Sequence, residues 1–132
     1  MTKTEAQRRN HMNDALRALG FTSDECESLR RISMQLHSWH ERECGTDNGC
    51  IERDETTDKP YWLNSNTMRR YPIRDMEKGA IHRLSVTMQK HDPLTAYIQT
   101  DPRGAALYIL RPGDIPAGQS ADSCYSRGIC VY

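Results

Sequence analysis

The sequence predicts an α+β fold, a helical hairpin and a third helix packed on an antiparallel sheet of hairpins, in the order ααββαβββ. Three observations predict it. Capped stripes of helical period fill the first third of the chain. The turn sequence Asp101-Pro102-Arg103-Gly104 separates two runs of strand character. Helices and hairpins are segregated rather than strictly alternating, which favours antiparallel over parallel pairing. At 132 residues the chain reads as a single domain, residues 1–132, with a helical hairpin in 1–45 and a hairpin, a helix and C-terminal strands in 46–132.

Thr4 and Gln7 form a capping box, and Met12, Ala15, Leu16 and Leu19 recur on one helical face. The first helix is therefore expected over 4–19, with Gly20 as its C′ residue and Phe21 as the accompanying apolar contact. Thr22 and Glu25 make a second capping box, flanked by Phe21 and Cys26 at the staple positions. Cys26, Leu29, Ile32, Leu36, Trp39 and His40 continue the stripe, predicting a helix over 23–44. Ser33 interrupts that stripe and predicts a narrow buried face.

Residues 50–54 and 59–63 flank the polar turn Glu55-Thr56-Thr57-Asp58 and read as a hairpin, with Pro60 marking an edge strand. Asn64 to Tyr71 reads as loop. Ile73, Met76, Ala80, Ile81, Leu84 and Met88 share one face of a helix expected over 73–90. In the hairpin that follows, Ala96–Thr100 and Ala105–Leu110 are the strands. Proline presets φ at the first central turn position, and glycine tolerates the positive φ at its exit. Residues 111–118 form a Pro/Gly-rich connection, and Tyr125–Tyr132 is expected to close the sheet as a last strand.

Composition narrows the function classes. Lys plus Arg and Asp plus Glu both number 18, giving a net charge of zero, so non-specific binding to nucleic acid is disfavoured. Charge is unevenly spread: residues 1–66 carry 9 basic and 12 acidic side chains, and 67–132 carry 9 and 6. The start of the chain is polar and no apolar run is long enough to span a bilayer, so a cytoplasmic protein with no membrane partner is expected. Five cysteines leave an odd thiol in any pairing, and free, partly buried thiols are the expectation.

Three constellations could carry chemistry. Asp101 and Arg103 could act together as a catalytic or anion-binding pair at the hairpin tip, although turn residues usually hold each other. Tyr97, Tyr108, Tyr125 and Tyr132 with Arg127 make an aromatic and arginine surface suited to a protein partner or to stacked bases. His37, His40, Cys44 and Cys50 supply two imidazoles and two thiols, the donor set of a tetrahedral zinc site, but at a non-standard spacing. Core histidine with buried thiol is the simpler account, and no cofactor is expected. The sequence has no Gly-rich phosphate loop, no Gly-x-Ser-x-Gly and no His-Glu-x-x-His, so a non-enzymatic role is favoured.

The segments Leu36-His37, Glu43-Cys44-Gly45, Thr100–Tyr108 and Tyr125–Ile129, in that order, resemble a diffuse family of small tailed-phage and prophage accessory proteins. Asp101-Pro102-Arg103-Gly104 is the specific part of that resemblance. It implies a setting inside a bacterial host and a partner that is a host protein or defence complex, inhibition of the anti-CRISPR type being one case. No catalytic residue carries over from it. A self-associating chain, a nucleotide or nucleic-acid binder using Asp101 and Arg103, and a zinc-stabilised module are the remaining expectations.

Overall fold

The computed structural model describes residues 4–43, 48–57, 59–73, 75–101 and 104–131. Helix α1 (Glu5–Ala18) begins at the Thr4 capping box, and Gly20 at φ +106° turns the chain into Phe21. Helix α2 (Ser23–Glu43) starts from the second box: Glu25 N–H donates to Thr22 Oγ1 at 3.1 Å, and Thr22 N–H to Glu25 Oε1 at 2.9 Å. Both boxes satisfy amides that a helix start leaves without intrahelical acceptors. Helix α3 (Asp75–Gln89) begins two residues later than the periodicity suggested.

Strands β1 (Gly49–Arg53), β2 (Pro60–Asn64), β3 (Arg70–Pro72), β4 (Thr95–Asp101), β5 (Gly104–Leu110) and β6 (Ile129–Val131) form one antiparallel sheet in the order β3-β2-β1-β4-β5-β6. The α+β fold expected from the sequence is the fold observed. Helix α2 crosses β5, α1 lies toward β6 and α3 toward β4, all on one face. Leu16, Leu29, Ile32, Leu36, Trp62, Ile98, Leu107, Ile109 and Val131 fill the layer between helices and sheet. A short helix α4 (Ala121–Cys124) and the 3-10 turn Tyr125–Arg127 cover part of the opposite face. Among the described residues, no helix is long and apolar enough to cross a membrane.

Four expectations need correction. Asn64–Tyr71 is not all loop, because Arg70–Pro72 pairs with Tyr61–Leu63 as β3 and takes the edge. Pro60 is consequently not in an edge strand. It is tolerated because it is the first residue of β2, where the ladder needs no N–H from it. The closing strand is only Ile129–Val131, since Tyr125–Arg127 coils into a 3-10 turn. Ser33 does not narrow the helix face; it is buried, and its hydroxyl donates to the Val131 carbonyl at 2.7 Å, tying α2 to β6. A buried hydroxyl with such a partner is tolerated in a core where an unpaired one would be costly.

A polar tie joins the start of α2 to the end of α3. The Glu25 carboxylate, already in its capping box, also accepts from His91 Nε2 at 2.9 Å, just beyond the end of α3. The His91 ring packs against Phe21 at a tilt of 36°, with centroids 4.1 Å apart. The Thr22 amide first, then the imidazole, hold the Glu25 carboxyl below its usual range despite its burial.

Candidate interaction surface

The residues singled out from the sequence do not converge on one site. Arg103 and Cys44 lie outside the described residues, as do the Asp101 side chain and Tyr132; the Asp101 backbone pairs with Gly104. His40 is fully buried, edge-on to Trp39 and Trp62 at 6.5 and 6.2 Å between ring centroids. His37 is half-exposed and pairs with Glu41 at 3.0 Å. Cys50 points to the opposite side of the sheet from His40, because its neighbour Ile51 shares the helix-facing side with Trp62. Among the described residues, no group of His, Cys, Asp and Glu is arranged to hold a metal ion.

The tyrosines do gather, on the sheet face away from α1–α3. Tyr97 and Tyr108 are cross-strand partners, and Tyr125 lies over both, stacked on Tyr97 at 5.5 Å and edge-on to Tyr108 at 5.0 Å. The rings pack chiefly on one another, so this cluster reads as a second, smaller core. Arg127 stands exposed beside it, near the Asp114 carboxylate.

On the same face Cys50 donates to Glu52 Oε1 at 3.5 Å and lies within reach of the Tyr97 hydroxyl. Burial first, then the Glu52 carboxylate, push the Cys50 thiol up to about 11. Burial likewise raises Tyr97 and Cys130. Such thiols stay protonated at neutral pH, the opposite of an activated nucleophile.

The surface that sequence reasoning missed lies at the β2–β3 end. Asn64 is buried, and its carboxamide oxygen accepts from the amides of Asn66 at 2.9 Å and Thr67 at 3.2 Å. The Met68 amide closes on the Asn64 carbonyl at 2.7 Å, and the Asn64 amide on the Arg69 carbonyl at 3.0 Å. This network sets Met68 at φ +60°, a left-handed conformation that a non-glycine residue adopts at a cost. The Met68 side chain is 68% exposed as a result.

Two positions on, Arg70 lies over the Tyr61 ring at 4.6 Å and contacts Asp54 at 3.4 Å. Tyr71, 41% exposed, packs on Trp62 at 5.4 Å between centroids. Trp62 in turn meets Trp39 edge-on at 6.4 Å and donates its indole N–H to Thr100 Oγ1 at 3.0 Å. An aromatic column thus runs from the core to the sheet edge and fixes Tyr71 from behind. The available signal was Asn64-Ser65-Asn66-Thr67 as a turn preceding Arg70-Tyr71-Pro72 as an edge strand.

The chain matches no protein-family model, no curated protein and no solved structure.

Proposed function

We propose that the protein acts as a non-catalytic binder of a partner protein, which it docks around the β2–β3 edge, through Met68 on the turn and through Arg70 and Tyr71 on the two faces of β3. The observation that carries this reading is the clustering of exposed anchors. Four large apolar side chains are exposed among the described residues, Met34, Met68, Tyr71 and Val86, and two of the four stand within four positions on one turn and edge strand. Met, Arg and Tyr are the residue types enriched at interface centres. Their support by Trp62 and by the Asn64 turn limits the entropy lost when a partner immobilises them.

The resemblance to phage accessory proteins supports a bacterial host protein as the partner, and inhibition of a defence system of the anti-CRISPR type as the consequence. Protonated, buried thiols and a self-packed tyrosine cluster support binding over catalysis.

The test is affinity capture from bacterial host lysate, followed by titration of the purified partner. Met68→Ser, Arg70→Glu and Tyr71→Ala together should abolish capture, and Tyr71→Ala alone should weaken binding on the order of 30-fold, as for a hot-spot residue. Met34→Ser on α2 should leave it unchanged. A stoichiometric partner retained by the triple variant would move the interface elsewhere. An eluate holding nucleic acid and no protein would favour the nucleotide-binding reading of Asp101, Arg103 and Arg127 instead.

A further inference from the structure

The sheet is split at its centre. The β1–β4 ladder comprises Gly49↔Thr100 and Cys50↔Gln99 and stops there, although both strands continue. Continued in register, Ile51 would oppose Ile98 and Arg53 would oppose Ala96. A cleft of about 350 Å³ opens where those pairs would lie, lined by both strands and closed on one side by α3.

Its walls are apolar. Ile81, Leu84 and Met88 of α3 face Ile51, Ala96 and Ile98 of the strands, with Ser85 and Thr95 at the rim. Main-chain groups also face the cleft. The bonds from Asp54 N–H to the Lys59 carbonyl and from Ser65 N–H to the Asn48 carbonyl fix the alternation of the hairpin. Cys50 and Glu52 therefore bond toward β2, and the amides and carbonyls of Ile51 and Arg53 point toward β4. The Cys50↔Gln99 pair already engages the Ile51 amide with the Ile98 carbonyl; past it, the main-chain groups of Arg53 and Ala96 need a partner from water or from a ligand.

Glu52 is the one charged residue among the described lining. Its carboxylate is engaged by Tyr61 Oη at 2.9 Å and by Cys50 on the far face. We propose that the cleft is a binding site for a compact, uncharged, mostly apolar molecule carrying one amide-type group. The apolar body lies against Ile81, Leu84, Met88 and Ile98. The amide completes the interrupted edge at Arg53 and Ala96, donating to a carbonyl of one strand and accepting from an amide of the other. Cleft size and lining match those of small-molecule sites, in which a few polar groups fix orientation within apolar walls. The inference is independent of the protein-binding surface on β3.

Methyl-resolved NMR of the full chain, titrated with benzamide, toluene and benzoate, tests it. Benzamide should give saturable shifts at Ile51, Ile81, Leu84 and Ile98 and none at Leu16 or Val131. Toluene should bind about fivefold more weakly, the worth of one net hydrogen bond, and benzoate more weakly than toluene. Ala96→Leu should fill the cleft and abolish the shifts while the spectrum stays folded; Ser85→Leu serves if that variant does not fold. Benzoate binding as well as benzamide, shifts at Leu16 rather than in the cleft, no saturation, or undiminished binding by a folded, filled variant would each overturn the proposal.

Discussion

The two halves of the sheet are built differently. In β4-β5-β6, pairing runs without interruption from Thr95↔Leu110 to Asp101↔Gly104, and β5 is almost entirely buried beneath α2. In β3-β2-β1 no strand exceeds five residues, against seven in β4 and β5; every residue of β3 is exposed, and the side chains at the edge are Arg70, Tyr71 and Pro72. One half is a core that happens to be a sheet; the other is a sheet that presents side chains. The difference teaches where selection for stability and for binding could act separately, since the ladder between the halves is short.

The sharpest test of that division is paired truncation. Leu107 is fully buried at the centre of β5, and Leu107→Ala should cost about 2–5 kcal/mol from lost transfer energy and the cavity left behind. Tyr71→Ala on β3 should cost less than about 1 kcal/mol, as for a surface position supported from one side. Urea unfolding of both variants reads the difference directly. Equal losses would mean that β3 belongs to the core and is not a presentation edge.

The next largest effect should come from the seam. Trp62 of β2 reaches across β1 to hydrogen-bond Thr100 of β4. Position 49 must be glycine, because a Cβ there would collide with the Leu63 carbonyl oxygen and lie 2.7 Å from the indole nitrogen. Thr100 is fully buried, so Trp62→Phe strands its hydroxyl and should cost about 1–3 kcal/mol. Gly49→Ala should be at least as damaging, because the added methyl must displace the Leu63 carbonyl of the β1–β2 ladder as well as the same ring. A Trp62→Phe protein with unchanged urea midpoint would show that the halves are joined by something other than this bond.

The same division explains what was legible in the sequence. Helical stripes and both capping boxes are local patterns, and Thr4, Gly20, Thr22 and Glu25 did what their types predict. The β4–β5 hairpin was equally local. Strand β3 was missed because three exposed residues carry no alternation, and their partners at 61–63 are set by a turn centred on a buried Asn64. Ser33 was misread because its acceptor, the Val131 carbonyl, lies 98 positions away. The surface proposed for binding was illegible for the same reason. Tyr71 is fixed only once Trp62, Trp39 and Thr100 are brought behind it by tertiary packing, and Met68 only once the Asn64 turn closes.

The seam has a second fastening on the face opposite Trp62, and it titrates. Cys50 on β1 and Tyr97 on β4 lie within hydrogen-bonding reach of each other, and Tyr97 Oη donates to Gln99 Oε1 at 3.4 Å. Burial raises both groups in the folded protein, the thiol from an ordinary 9.0 to about 11. An acid whose folded pKa is raised contributes stability that is complete below its unfolded pKa and is lost as pH rises through the folded one. Melting temperature should accordingly fall between pH 9 and about 11, the interval between the two thiol values. Cys50→Ala should flatten part of that fall, and adding Tyr97→Phe should flatten more. Glu52→Gln should steepen nothing, because removing the neighbouring carboxylate lowers the thiol and shrinks the gap between folded and unfolded states. Identical alkaline profiles for wild type and Cys50→Ala would remove the thiol from the seam, leaving Trp62 and the short β1–β4 ladder to hold the halves together.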